Sequence, residues 1–345
     1  MLRRNVEILL ALLMVLIFGA TAASAQAVAR ATATVTANAP IDIGAAVSPA
    51  PLRVAVPGTQ GQEGERRVVL VNVLDREGHH VSGLASANFQ GECRGQPVTI
   101  LSLSEDTAPR RVAVVVDVSA SQEEATVRSW LQAEQLIDSL VPRNTVALFT
   151  VAGTLEKHAD LTNDRDALQR ALRGARTRRL AGASSLYDGV VQAALGFPGV
   201  CPGDVVCLVS DGEDTSSRLS TDAMVSGVTG KGCRVFLVAI VPNRMTLFRP
   251  LYSAWQSITE ATGGVMVAMD PFEKENAGGM AQTTHAVHGA ITSTYRLDLW
   301  LPRAIDKPRD WKLWVVDSAG MRLKNVRVVY PHRLAPLPAP IASPR

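Results

Sequence analysis

One acid and two hydroxyls at alternate positions, Asp117, Ser119 and Ser121, follow directly on the run Val112-Ala113-Val114-Val115-Val116. An unbroken apolar run that stops at an acid reads as a buried strand ending at the rim of a sheet. In open α/β sheets that rim is where ligands bind. Hard oxygen donors of this kind suit Mg²⁺, Mn²⁺ or Ca²⁺ and do not suit zinc or copper. Two later segments can close the same site. One holds Ser184, in Gly182-Ala183-Ser184-Ser185-Leu186-Tyr187-Asp188; the other holds Asp211, in Leu208-Val209-Ser210-Asp211-Gly212-Glu213-Asp214. Alone, the first segment would read as a cap on the helix that begins near Gln122. The three together point to a metal.

The elements that must position these residues alternate strand and helix. Strands are expected over 145–151, 205–210, 234–241 and 265–268, with a short edge strand over 155–159. Helical spacing covers 122–140, 164–173, 221–229, 251–261 and 275–291, with another helix starting near Ser185. This pattern implies a doubly wound, mostly parallel α/β sheet with both faces covered. Strands also precede the block, over 68–74 and 97–101, and follow it, over 293–300, 311–316 and 324–330. Each flanking group is short for a stable unit. The expectation is therefore a small β-sandwich built from both ends, with the α/β domain inserted. The boundaries read as a leader over 26–64, β strands over 65–105, the α/β domain over 106–292, β strands over 293–332 and a Pro-rich tail over 333–345.

The three segments, in this order, resemble the von Willebrand factor type A domain and its metal-ion-dependent adhesion site. Asp117, Ser119 and Ser121 match the family's Asp-x-Ser-x-Ser. Asp211-Gly212 matches its strand-ending Asp-Gly. Ser184 stands where the family usually has Thr before a Leu-Tyr-Asp helix start, and it keeps the hydroxyl. The whole arrangement is similar to a bacterial, exported branch of the family. There a β lead-in (here 75–89), the metal-site domain, an Ala-Thr-Gly-Gly segment (here 261–264) and a β tail follow one another. The resemblance covers about 66–333. It implies Asp117, Ser119, Ser121, Ser184 and Asp211 as metal ligands and capture of a partner's Asp or Glu through the cation. Asp188, Glu213 and Asp214 would lie in the surroundings or on the rim.

Arg3 and Arg4, an apolar run over 8–18 and Ala23-Ser24-Ala25 read as a cleaved export signal over 1–25. The mature chain would then sit in a periplasm or be secreted, with no stable membrane span. Its formal charge falls from +3 to +2, which gives no support for nucleic-acid binding. Arg165, Arg170, Arg173, Arg176, Arg178 and Arg179 cluster before Ser184, either as a solvated helix face or as a positive rim that attracts an acidic partner. Cys93, Cys201, Cys207 and Cys233 all lie in the exported part, where disulfides persist. If the strands at 205–210 and 234–241 are parallel neighbours, Cys201 and Cys233 share one end of the sheet and could pair. Cys207 then reads as a buried thiol.

Other chemistries fit less well. A phosphatase of the haloacid dehalogenase type also ends a buried strand at an Asp, but its acid two positions on is Ser119 here. The loss of such an acid removes roughly 10²–10⁴-fold in rate. No Gly-x-Ser-x-Gly elbow surrounds Ser119. His285 and His288 share a helix face but lack further partners for zinc. The expected function is binding, not catalysis. An envelope protein with an inactive metal site is the alternative.

Overall fold

The computed structural model describes residues 64–119, 126–177, 182–241, 250–269 and 277–337. The expected export signal, nearly all of the leader, Ser121, and Arg178 and Arg179 lie outside them. The chain opens with β1 (Glu65–Leu74), β2 (Phe89–Cys93) and β3 (Gln96–Asp106). The α/β block follows: β4 (Arg111–Asp117), α1 (Thr126–Leu140), β5 (Thr145–Val151), β6 (Leu155–Thr162), α2 (Arg165–Arg176) and α3 (Leu186–Leu195). It continues through β7 (Val205–Ser210), α4 (Thr221–Gly230), β8 (Arg234–Ile240), α5 (Pro250–Ala261), β9 (Met266–Met269) and α6 (Ala277–Thr292). The last strands are β10 (Thr294–Leu301), β11 (Arg309–Val315), β12 (Arg327–Val329) and β13 (Arg333–Leu334).

The block's sheet has the order β6-β5-β4-β7-β8-β9. β5, β4, β7, β8 and β9 run parallel, and β6 is an antiparallel edge. The reason β4 carries no polar alternation is visible in its packing. Val112, Val114 and Val116 join the core under α1, α2 and α6. Ala113 and Val115 join the core under α3, α4 and α5. A strand covered on both faces must be apolar throughout. Polarity can begin only where it leaves the sheet, and that place is Asp117. Close packing there also selects glycine. A Cβ on Gly189 of α3 would come within 2.7 Å of the Val151 side chain.

The flanking strands from the two ends do pair. β1 runs antiparallel to β10, and β10 to β3, with Val69 opposite Leu297 and Leu297 opposite Leu103. β11 pairs with β2 and β13. All seven strands join in one antiparallel sheet, β12-β1-β10-β3-β2-β11-β13, and not in two separately bonded layers. β2 and β13 had no clear signal in the sequence. β2 contains Gly91, where a Cβ would press within 3.0 Å of the Lys312 carbonyl, so the site favours a residue of poor strand propensity. β13 falls inside the expected tail. His332 nonetheless donates its N–H to Ala261 and accepts from Trp311, so the chain stays pinned past Pro331.

A buried polar joint ties the antiparallel sheet to the block at the end where β8 begins. The Asn72 amide donates to the carbonyls of Ala290 (3.0 Å) and Ser293 (2.8 Å). Its carbonyl oxygen accepts from the Arg234 guanidinium at 3.1 Å. Arg234 also donates to the carbonyls of Ala290 and Ile291, filling acceptors left open at the end of α6. Truncating Asn72 leaves these buried groups unpaired. Asn72→Ala should cost about 2–4 kcal/mol in urea unfolding of the whole chain, since each orphaned buried group costs about 1–3 kcal/mol. A change under about 0.5 kcal/mol, the size of an ordinary surface effect, would mean that the joint contributes little.

Candidate metal site

Asp117 ends β4 and Asp211 directly follows β7, its parallel neighbour, with Val116 opposite Val209. Ser184 reaches the same rim through the loop before α3, where the Ser185 N–H donates to the Ala152 carbonyl just past β5. The rim is sealed on the β5 side as well, because the Val118 N–H donates to Val151. Three of the four described residues in the expected ligand set, Asp117, Ser119 and Ser184, are buried, and Asp211 is half-buried. The fifth, Ser121, lies outside the described residues.

The Asp117 carboxylate is fully buried. One oxygen accepts the Ser119 N–H at 2.9 Å, and the other accepts the Ser210 hydroxyl at 2.5 Å. Burial pushes its pKa upward; the Ser210 and Ser119 hydrogen bonds pull it down, and the negative charge of Asp214 raises it. No ion pair to Asp117 occurs among the described residues. Ser184 presents the complementary feature. Its hydroxyl oxygen is buried with no hydrogen-bond partner among the described residues. An orphaned hydroxyl inside a protein calls for an explanation, and a cation at the rim provides one. No group of three or more His, Cys, Asp or Glu among the described residues is placed to hold a metal. A cation here would therefore depend on serine oxygens as well as the two acids, which fits a hard divalent ion.

The loop after β7 holds the rim in shape. The N–H groups of Thr215 and Ser216 both donate to the Ser184 carbonyl, and the Thr215 hydroxyl accepts the Ser184 N–H at 2.9 Å. The Ser185 and Ser216 hydroxyls meet at 2.7 Å. Asp214 accepts from the Tyr187 N–H at the start of α3 and from both the N–H and the hydroxyl of Ser217. Asp188 accepts the N–H groups of Arg218 and Leu219. Asp188 and Asp214 thus lock this loop to α3, and their oxygens are committed to backbone donors. Glu213 donates its N–H to Asp211 at 2.9 Å. Ser210 and Thr215 are the site residues that the sequence reading missed. Ser210 is the last residue of a buried strand and adjoins Asp211, which was the only available signal.

Gly212 makes the turn that presents Asp211. Its φ is +83°, and a Cβ there would lie 2.9 Å from the Trp255 ring. Trp255 closes the contact by donating its indole N–H to the Gly212 carbonyl at 2.8 Å.

The remaining candidates separate. All four cysteines are unbridged, so the expected Cys201–Cys233 pair is not formed. The Cys201 backbone does pack against Gly232, the neighbour of Cys233, where a Cβ would lie 3.1 Å from it. Each thiol turns instead to a local carbonyl, Cys201 to Pro202 and Cys233 to Lys231. Cys233 is buried and Cys201 is exposed. Burial pushes the Cys207 and Cys233 thiols up to about 12, which keeps both protonated at neutral pH. In the arginine cluster, Arg165 pairs with Asp138, and Arg176 pairs with Glu134 while lying over the Trp130 ring. Arg170 and Arg173 remain on the exposed face of α2. His285 is exposed and His288 half-buried on α6, with no third metal-binding partner among the described residues.

Residues 112–213 match the profile of the von Willebrand factor type A domain. The chain carries a von Willebrand factor type A domain. The match begins within β4 and ends at Glu213, so it spans Asp117, Ser184 and Asp211. No curated protein matches the chain. Among solved structures it is similar to BatB from Bacteroides thetaiotaomicron, at 15% identity and a TM-score of 0.41, over 52% of this chain and 98% of that one. It is also similar to a von Willebrand factor type A protein from Catenulispora acidiphila, at 12% identity and a TM-score of 0.41, over 81% of this chain and 75% of that one. A third is proximal thread matrix protein 1 from the mussel byssus, described with a zinc-occupied MIDAS motif. It is 18% identical, with a TM-score of 0.44, over 56% of this chain and 49% of that one.

Two outcomes follow from the rim of this domain. Gly212→Ala should lower stability by about 1–3 kcal/mol, because a left-handed residue gains a Cβ against a fixed ring; denaturant unfolding measures it. Asp117→Asn removes a buried charge while keeping the shape. A carboxyl group whose folded pKa is raised favours the fold when protonated, and loses that advantage as pH rises through the raised value. Without added metal, the Asn variant should therefore melt at or above the wild type at pH 7. The gap should close as pH falls towards the ordinary carboxylate range. A variant that melts well below the wild type at pH 7 would contradict this account.

Proposed function

We propose that this protein is an exported binding protein, not an enzyme, whose von Willebrand factor type A domain captures an acidic side chain of a protein partner through a divalent cation. The observation that carries this reading is the Ser184 hydroxyl, buried with no hydrogen-bond partner among the described residues, at the rim where Asp117 ends one strand and Asp211 follows its neighbour. Asp117 and Asp211 would hold the ion's charge, with Ser119 and Ser184 supplying neutral oxygens and Ser121 completing the set. When bound, a hard cation such as Mg²⁺, Mn²⁺ or Ca²⁺ supplies positive charge and coordination positions that a carboxylate can fill. Two protein acids formally balance that charge but, with the serine oxygens, leave coordination positions open for an incoming carboxylate. A third from the protein would weaken the attraction for a partner's Asp or Glu. The serine donors thus favour capture over simple metal storage.

The reading as a binding protein rests on what stands near Asp117. Ser119 occupies the position where a phosphatase of similar topology would need an acid. Asp188 and Asp214 are engaged by backbone N–H groups of the rim loop. Export rests on the N-terminal sequence pattern. No helix among the described residues is long and apolar enough to cross a membrane.

Calorimetric titration of the full chain with Mg²⁺, Mn²⁺ and Ca²⁺, with Zn²⁺ for comparison, tests the proposal. Saturable binding should be lost in both Asp117→Ala and Asp211→Ala. It should weaken at least about tenfold in Ser184→Ala, equivalent to about 1.4 kcal/mol. A glutamate-rich peptide should bind only with metal present and be released by EDTA. Peptide binding that survives EDTA and Asp117→Ala would favour a structural protein with an inactive site.

A further inference from the structure

At the end of the parallel sheet away from the metal site, a cavity of about 320 Å³ lies between β1 and the loops that lead into β7 and β8. Small-molecule sites span about 300–1,000 Å³, so it is large enough for a compact ligand. Val68, Leu70, Val200 and Pro202 give it apolar walls. Its lining also includes Arg234, a residue only 1% exposed.

Arg234 has no carboxylate of its own. Its terminal nitrogens are taken by Asn72 and by the carbonyls of Ala290 and Ile291, all neutral groups. Its Nε–H has no acceptor among the described residues. A second buried guanidinium, Arg110, lies beside the cavity-lining Gly203, where a Cβ would come within 3.1 Å of Arg110 Nη1. Arg110 pairs with Asp106 at 3.0 Å, and its Nε–H is also unpartnered. Two buried cations thus share one buried carboxylate. The hydrogen-bond acceptors of Arg234 are all neutral, with Asp106 acting on it only through space, and burial lowers its pKa to about 9. The arginines at the mouth are already paired, Arg66 with Asp298 and Arg333 with Asp310. Among the arginines that line the cavity, the unpartnered donor therefore belongs to the buried Arg234 and not to those of the mouth.

We propose that this cavity is a binding site for a small amphipathic anion, a medium-chain carboxylate. The carboxylate accepts the Arg234 Nε–H, and the hydrocarbon chain lies against Val68, Leu70, Val200 and Pro202. Acetate lacks the chain that the walls would bury, and 1-octanol lacks the charge. A ligand with both features gains from each, because an anion held by a buried guanidinium is a charge-assisted contact. The site is separate from the metal rim and does not depend on the function proposed above.

Isothermal titration of the full chain with octanoate, acetate and 1-octanol tests the idea. Octanoate should bind saturably, one per chain, at least about tenfold tighter than either comparison compound. It should also raise the melting temperature at saturation. Val200 is 48% exposed at the cavity wall. Val200→Trp should therefore block the cavity, abolish octanoate binding and leave the ligand-free melting temperature unchanged. Asp117→Ala should bind octanoate as the wild type does. The proposal is overturned if the wild type shows no saturable octanoate binding, if octanol binds as tightly, or if Val200→Trp binds like the wild type.

Discussion

Placing a carboxylate where water cannot reach it is among the most expensive choices a fold can make, unless hydrogen bonds or a cation compensate. Asp117 sits in that position, at the end of a strand buried on both faces. Among the described residues, the N–H and side chain of Ser119 and the Ser210 hydroxyl reach it. Much of the rim can be understood as maintaining this arrangement. Ser210 is oriented by the Gly212 N–H, Gly212 is fixed by the Trp255 indole, and the following loop is bonded on both edges to Ser184 and the start of α3. The orphaned Ser184 hydroxyl faces the same constraint from the other side, as an acceptor lacking a donor or a cation.

The rim loop also shows why acids near a site need not serve it directly. Asp188 lies in the first turn of α3 and Asp214 reaches its start from the loop after β7, yet backbone N–H groups and the Ser217 hydroxyl engage both. Their value is geometric, since they hold Ser184 in register with Asp211. Asp214 has an electrostatic effect too, raising the pKa of Asp117. Such a loop favours the protonated form of the buried carboxylate.

At the opposite end of the parallel strands the problem is inverted. There the buried charge is positive, and the chain answers with dipoles. Arg234 closes the end of α6 and reaches Asn72 on β1, so one side chain satisfies a helix terminus and joins the two sheets. The α/β block leaves the antiparallel sheet after β3 and returns to it at β10. Both crossings lie near this joint, with Arg110 bonded to Thr294 at the start of β10. The rim that holds Asp117 is therefore separated from the joint by the length of the central strands.

The α/β block was legible in the sequence because its signals are local. Apolar runs such as 112–116 and 205–210, punctuated by Asp117 and Asp211, mark strand and strand end without reference to anything distant. The expected pairing of the flanking strands was legible for a related reason, since neither group could bury its apolar face alone. Their joining as one sheet was not, because hydrogen-bond continuity depends on register between residues more than two hundred positions apart, such as Val69 and Leu297. β2 and β13 were invisible because partners, and not their own composition, make them strands. The candidate set Asp117, Ser119, Ser121, Ser184 and Asp211 came from residue type, spacing and the family resemblance. Only the tertiary structure decided that Ser184 is an orphan among the described residues, that Ser210 holds Asp117, that Asp188 and Asp214 are engaged by the rim loop and α3, and that Cys201 and Cys233 stay unbonded. Each of these depends on where a side chain points once distant segments have packed, and a one-dimensional pattern carries no information about that direction.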